Sequence, residues 1–547
     1  MPGFLGVVYK YGKSLQLNID WQLVYFKSLS LGEYVRKSFH DTQVDIWCSV
    51  VNKFSGDKIC TNDGVSVRIC DGIFINRVPS KEFFISTQEF KDLYGSFAVL
   101  QYDGETLTLA TDHISSKPIF YYADDIHFIF GTELRFVIGL MKLLSKNVVL
   151  DKLGSLSLLE LGYMVEDFTL VNGVKKLQAG KILVFDLRTF SYRIDTYFDP
   201  QVEPVIEDRK RALNLFTDIF KEAVELEWKK DSNYGYAHMA TISGGLDART
   251  NVLMAKRLGF KNINVITFGQ SDYWDERIVK RIARDQGFDL LIRTLDNGDY
   301  LLDVDKYIVA NSGLASYAGA AHGFSTVEKL NWKKFGILHS GQLGDAVLGT
   351  YIDKEIHVRN EDLRDVVEDA KKKYETNEKF VLYNRGYNGI LNGNWTTHHF
   401  TEMLSPFLYP SFIEFSLCLH PSFKYGEKLY IDWLKTVLPE SYKYPWESLK
   451  GLPPGSPNWL VFLRKAYYGG IKRVFGQLPM HSMNPFEYWF RVNEKLRNTL
   501  LRYYKQAVVD IRSYGISYEL GKKRPNMSKI FNTITLGRFI RLFIEEQ

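Results

Sequence analysis

Residues Ser243-Gly244-Gly245-Leu246-Asp247 have the types and spacing needed to hold a phosphate chain. Two adjacent glycines let the backbone approach an anion with no Cβ in the way. Free N–H groups at a helix N-terminus, reinforced by the positive end of the helix dipole, favour negative charge at that point. Asp247, in the first helical turn, is placed to hold a Mg²⁺ ion that neutralises such a chain. Two elements must position the turn. Tyr236 to Ile242 reads as a buried strand, and Ala248 to Leu258 reads as a helix with Val252, Leu253, Ala255 and Leu258 on its apolar face. The Gly-Lys-Ser/Thr ending of a Walker-type loop is absent, so a different class of nucleotide loop is indicated.

A second loop of similar make-up lies about a hundred residues on. Phe335 to His339 reads as another apolar strand, and it runs directly into Ser340-Gly341-Gln342-Leu343-Gly344-Asp345. Loops that leave the C-terminal ends of neighbouring parallel strands converge on one crevice, where Asp345 would share a Mg²⁺ with Asp247. Between them a third strand is predicted over Asn262 to Phe268, ending in Gly269. It is followed by Asp275-Glu276 and an amphipathic run to Gly287. This alternation predicts a parallel, doubly wound, Rossmann-like α/β sheet.

The Ser-Gly-Gly-x-Asp turn resembles the pyrophosphate (PP) loop of the ATP pyrophosphatase group, which splits ATP between its α- and β-phosphates and leaves an acyl-adenylate. The chain as a whole resembles the asparagine synthetase family, with its β-lactam synthetase and lasso-peptide cyclase relatives. Ser340 to Tyr351 matches the family's Ser-Gly-Glu-Gly-x-Asp-Glu-x-Phe-Gly-Gly-Tyr segment. Glu402-Met403-Leu404-Ser405-Pro406-Phe407-Leu408-Tyr409 matches Glu-x-Arg-x-Pro-Phe-Leu-Asp, and Leu438-Pro439-Glu440 followed by Lys450-Gly451 approximates its late Lys-x-Gly. The resemblance implies ATP and Mg²⁺ as cofactors. Nucleotide contacts would come from Ile242, Ser243, Gly244, Gly245, Asp247, Phe268, Ser340 and Gly341, and metal ligands from Asp247 and Asp345. Lys450 would supply positive charge to the α-phosphate or to an oxyanion. Glu402 matches a glutamate that helps a general base prepare the attacking amine in β-lactam synthetase, and it reads equally well as a helix-end carboxylate. Gln342 stands where asparagine synthetases carry a glutamate, Ala346 replaces the glutamate after Asp345, and Tyr409 replaces the aspartate of Pro-Phe-Leu-Asp.

The N-terminal third resembles a class II glutamine amidotransferase domain, which implies a two-sheet N-terminal-nucleophile (Ntn) hydrolase sandwich. Leu93 to Asp103, Ala110 to His113, Lys117 to Tyr122, Gly131 to Leu134, Val174 to Gly180 and Tyr197 to Asp199 follow that pattern in order. Its chemistry does not follow. The sequence begins Met1-Pro2-Gly3, where a working glutaminase of this kind presents an N-terminal Cys, and Cys48, Cys60, Cys70 and Cys418 are all internal. The family's Asn-Gly-Glu reads Asp71-Gly72-Ile73 here. The expectation is a retained scaffold without glutaminase activity.

Length and composition agree with this division. A chain of 547 residues is too long for one core, and a boundary is expected from Asp199-Pro200 to Glu207, giving domains 1–200 and 201–547. No apolar run is long enough to span a bilayer, the N-terminus lacks a signal-peptide pattern, and four unpatterned cysteines suit a reducing compartment. The expected location is therefore cytoplasmic. Val461 to Gln547 holds 16 Lys plus Arg against 6 Asp plus Glu, although the whole chain carries only +5. Solvated outer faces of helices such as Tyr488 to Val508 are preferred for this surplus over an anionic partner, and no nucleic-acid pattern is present.

The expected activity is an ATP-dependent, AMP-forming amide ligase. It would adenylate a carboxylate other than free aspartate for attack by ammonia or a substrate amine, and a homodimer is compatible with this. One alternative is a true asparagine synthetase using aspartate with ammonia or glutamine nitrogen. The other is a nucleotide-binding pseudoenzyme without turnover.

Overall fold

A computed structural model describes residues 3–12, 34–51, 53–57, 60–79, 84–516 and 526–545. Met1 and Pro2, on which the expectation about the missing nucleophile rests, lie outside the described residues.

The first part of the chain forms two six-stranded sheets. One has the order Lys175–Leu177, Ile119–Ala123, His127–Gly131, Gly3–Tyr9, Val44–Val51, Tyr34–His40. The other runs Ser191–Thr196, Lys181–Asp186, Thr106–Thr111, Gly95–Tyr102, Val67–Phe74, Cys60–Asn62. All pairings within them are antiparallel. Alternate residues of a strand point to opposite faces, and in Gly3–Tyr9 both faces are buried. Phe4 and Val8 pack into the core between the sheets, whereas Leu5, Val7 and Tyr9 join the core on the other side with Leu134, Val137 and Ile138 of the helix Leu134–Leu143. This is the Ntn-hydrolase-like sandwich, its central strands buried on both faces and its edge strands Cys60–Asn62 and Ser191–Thr196 largely exposed.

The second part carries a five-stranded, wholly parallel sheet in the order Asp289–Thr294, Ile263–Gly269, Ala237–Thr241, Phe335–His339, Met403–Leu404. The chain moves outward on one side of Ala237–Thr241 and then returns to its other side. The strand order therefore reverses between Ala237–Thr241 and Phe335–His339, the position where open α/β sheets form a crevice. The sheet is the Rossmann-like arrangement that the strand–helix alternation predicts. The helix Arg209–Asn233 lies against it through Trp228, whose ring stacks on His339, while Phe216 and Phe220, on the same face, pack on Phe412 and Trp433.

The parts meet through buried polar contacts. Lys53 Nζ donates to the Gly336 carbonyl (2.8 Å) and to Thr401 Oγ1 (2.7 Å), and Lys176 Nζ donates to Asn388 Oδ1 (2.7 Å). The Tyr94 hydroxyl donates to Glu227. One sequence expectation is corrected here. Tyr488 to Val508 is not a single helix. Phe486–Val492 ends at Asn493, whose side chain accepts the Leu496 N–H and starts Glu494–Ser513 afresh. Asn is among the strongest N-caps, and it ends one helix by capping the next.

Candidate nucleotide and metal site

The Ser243-Gly244-Gly245 turn leaves strand Ala237–Thr241 and enters helix Leu246–Arg257, whose N-cap is Gly245. Ile242 is buried, and its N–H pairs with the Ile266 carbonyl (2.9 Å), fixing the turn to the neighbouring strand. Ser243 Oγ accepts the Gly245 N–H (3.2 Å). The Gly244 N–H is held by Asp275, from the first turn of helix Trp274–Gln286. Burial pushes the Asp275 carboxyl up to about 6. A Cβ on Gly244 would lie 2.9 Å from Asp275 Oδ1 and 3.0 Å from Ile278 Cδ1, so the turn is closed around a glycine.

The second loop lies directly against the first. Asn251 Nδ2, on the helix after the turn, donates to the Ser340 carbonyl (2.7 Å), and its Oδ1 accepts from Trp228 Nε1 (3.0 Å). A Cβ on Gly341 would stand 2.3 Å from the Ala248 nitrogen and 2.4 Å from the Asp247 carbonyl carbon. One on Gly344 would stand 2.5 Å from Asp247 Cγ. Real Cβ atoms do not tolerate such distances, so only glycine lets the two main chains touch. The outcome is that the Asp345 N–H donates to Asp247 Oδ2 (2.8 Å).

This contact crowds carboxylates. Burial and the neighbouring Asp345 hold the Asp247 carboxyl far above the usual carboxylate range. Desolvation by the surrounding protein raises Asp345 as well, although its side chain reaches solvent, while the Ala346 N–H, the Thr350 hydroxyl and the Arg385 guanidinium oppose that shift. Burial and Asp345 push Glu427, at the N-cap of helix Lys428–Val437, up to about 7. Three acids thus converge beside the Ser243–Gly245 turn, with the Arg385 guanidinium acting on Asp345. A hard divalent cation fits this donor set, with Asp247 and Asp345 as the oxygen donors closest to the turn.

Lys450 approaches from a separate segment. The Glu447 N–H donates to the Gly244 carbonyl (3.0 Å), and the Lys450 N–H donates to the Glu447 carbonyl (2.8 Å), so the Glu447–Lys450 turn is tied to the first loop. Lys450 Nζ lies 3.5 Å from Glu447 Oε1. Gly451, at φ +83°, follows because a Cβ there would fall 2.3 Å from the Trp274 ring.

Beside the loops a cavity of about 430 Å³ is lined by Thr241, Phe268, Leu338, Gln342, Arg385 and Met403, among others. Gln342 is held by its backbone, its carbonyl accepting from Ser405 Oγ (2.9 Å), and its buried Oε1 has no hydrogen-bond partner among the described residues. Ser340 is fixed to the last strand, its N–H donating to the Leu404 carbonyl (2.8 Å). Behind it, His339 stacks on Trp228 (ring centroids 4.2 Å apart). His339 Nε2 lies 2.9 Å from Asp231 Oδ2, which lies 3.2 Å from His238 Nδ1.

Of the residues singled out in the sequence, Ile242, Ser243, Gly244, Gly245, Asp247, Ser340, Gly341, Asp345 and Lys450 meet at the two loops. Phe268 and Gln342 line the adjoining cavity. Glu402 is placed differently. It is buried in the domain interface, 3.3 Å from Lys117 Nζ through one oxygen and 3.1 Å from His398 Nδ1 through the other, and Lys117 Nζ also reaches Asp71 (3.2 Å). The sequence motifs do not assign Asp275, Arg385 or Glu427 to the site. Asp275 had a legible signal, a carboxylate in the first helical turn after a strand. Arg385 and Glu427 belong to no motif.

Residues 85–198 match the glutamine amidotransferase domain family. Over 287 residues the chain is 25% identical to the provisionally named glutamine-hydrolysing asparagine synthetase 2 of Methanocaldococcus jannaschii, and this match covers 51% of this chain and 53% of that protein. Over about half of its length the chain is thus similar to a protein named as an asparagine synthetase. It spans about half the length of the curated relative it matches. Among solved structures it is similar to the glutamine phosphoribosylpyrophosphate amidotransferase of B. subtilis (9% identity, 53% of this chain and 81% of that one, TM-score 0.23). It is also similar to the glutamine-dependent NAD⁺ synthetase of Acinetobacter baumannii (11%, 57% and 69%, TM-score 0.20).

Proposed function

We propose that the chain is a carbon–nitrogen ligase that uses ATP to adenylate a carboxylate and passes the acyl group to ammonia or to an amine. The observation that carries this reading is the closure of two glycine-dependent loops at the switch point of a parallel sheet, with the Asp345 N–H on the Asp247 carboxylate. The turn at Ser243 to Gly245 would grip the pyrophosphate end of ATP. Asp247 and Asp345 would hold Mg²⁺, which supplies charge neutralisation when bound. Lys450, tethered to the same turn, would face the α-phosphate as the substrate carboxylate attacks it and pyrophosphate departs. The nitrogen nucleophile then adds to the acyl carbon and AMP leaves. The cavity beside Gln342 is where the carboxylate would lie. Gln342 is an amide that neither gives nor takes a proton at neutral pH, so it would act by hydrogen bonding alone.

The N-terminal domain would serve as a scaffold. At the position of the family's glutamine-holding acid the chain has Ile73, which is wholly buried, and the Asp71 carboxylate is taken up by Lys117.

Isotope exchange between pyrophosphate and ATP tests the reading, using a panel of carboxylates that includes aspartate, amino-acid derivatives and sugar acids. Acid-dependent exchange is expected in the wild type and none in Asp247→Ala or Asp345→Ala. Full exchange in either variant sinks the assignment. If aspartate is the best acid and asparagine accumulates, the chain is an asparagine synthetase.

A further inference from the structure

The helix Asn458–Phe475 has no buried residue. Its inner side, with Leu460, Val461, Arg464, Tyr468 and Ile471 half-buried, rests on the protein. Arg464 Nε donates to the Lys450 carbonyl (3.2 Å), and its guanidinium lies over the Trp274 ring. The opposite side should be polar in a helix that faces water. It is instead apolar. Trp459, Phe462, Leu463, Tyr467 and Val474, at spacings of three, four and seven, form an outward stripe ending beside Phe475, and all six are 56% to 74% exposed. Isolated exposed apolar residues are ordinary, but a continuous outward stripe of large ones marks a surface that meets something.

The charges identify what it meets. No Asp or Glu occurs from Ser448 through Phe486, and the exposed Lys465, Lys472 and Arg473 flank the stripe. A second copy of this face would bring cations onto cations with no acid to separate them. A surface that is apolar beneath an anionic layer satisfies both features at once. The helix is about 27 Å long at 1.5 Å per residue, and it need not cross a bilayer to bind one. No helix among the described residues is long and apolar enough to do so.

We propose that the outward face of Asn458–Phe475 docks the protein on an anionic lipid bilayer surface, the apolar stripe entering the headgroup region and the cations pairing with lipid phosphates. This surface takes in Lys465, Lys472 and Arg473 of the basic surplus after Val461. It stands independently of the ligase reading.

The test is co-sedimentation of the full chain with vesicles of phosphatidylcholine alone, or of phosphatidylcholine with about one-third phosphatidylglycerol, at low and high salt. Binding is expected to the anionic vesicles only and to weaken with salt. It should fall about tenfold or more in Phe462→Ser/Leu463→Ser and in Lys465→Gln/Lys472→Gln. Both variants alter exposed residues, and circular dichroism and melting should match the wild type. A blue shift of tryptophan fluorescence on vesicle binding should shrink in Trp459→Phe. No vesicle binding, equal binding to both lipid mixtures, or unchanged binding in Phe462→Ser/Leu463→Ser overturns the proposal. So does self-association that this variant abolishes, which would assign the face to a second copy.

Discussion

Replacing Glu427 with glutamine should make the metal-free protein more stable at high pH and leave it unchanged at low pH. Glu427 starts the helix Lys428–Val437 from a left-handed φ of 55°, and its carboxyl is pushed from 4.5 to about 7 by burial and by Asp345. The sign follows from proton counting. Between pH 4.5 and about 7 the folded protein keeps a proton that the unfolded chain has released, so stability drains away as pH rises through that window. At about 1.36 kcal/mol per pKa unit, the loss is about 3 kcal/mol by pH 8. Glutamine has the same shape and no charge, so Glu427→Gln should recover that amount. Over a chain of this length, at roughly 2.1 cal/mol/K per residue, the gain corresponds to about 3 °C in Tm. The assay is thermal unfolding followed by circular dichroism, with chelator present, at pH 8 and at pH 4.5. Adding Mg²⁺ at pH 8 should narrow the gap, because a cation among the carboxylates relieves the same repulsion. A variant no more stable than wild type at pH 8, or a gap of equal size at both pH values, refutes the account of a crowded carboxylate cluster.

Two further substitutions probe the contacts that assemble the site. Gly341→Ala places a Cβ 2.3 Å from the Ala248 nitrogen. The two loops must then separate, and pyrophosphate exchange should fall about a hundredfold with the secondary structure retained. Exchange within a few-fold of wild type would show that the loops need not touch. Lys117→Met leaves Asp71 and Glu402 buried without their shared cation, and it should cost about 3–5 kcal/mol in urea unfolding at pH 7. A loss under about 1 kcal/mol would mean that the interface does not depend on this ion pair.

The local elements of the site are legible along the chain because each is written in contiguous residues. Apolar runs of strand length end in Gly-containing turns with a carboxylate soon after, and the structure places strands at Ala237–Thr241, Ile263–Gly269 and Phe335–His339. The two glycine loops are equally legible, since a backbone that must approach an anion or another backbone excludes a Cβ. What the sequence does not show is which distant residues arrive there. Arg385 and Glu427 are brought to the loops by helices packed around the sheet, and no spacing rule relates them to Ser243, whereas Lys450 is marked by its own motif. Glu402 shows the converse. Its motif is clear, but the domain interface decides its partners, because a buried carboxylate must find compensating charge and Lys117 and His398 lie beside it. The basic C-terminal region divides in the same way. The surplus of Lys and Arg is plain in the sequence, whereas the outward turn of the Trp459–Val474 stripe is a property of how its helix docks. Period and composition mark a helix as amphipathic, and only tertiary packing settles which of its faces meets the protein and which is left outside.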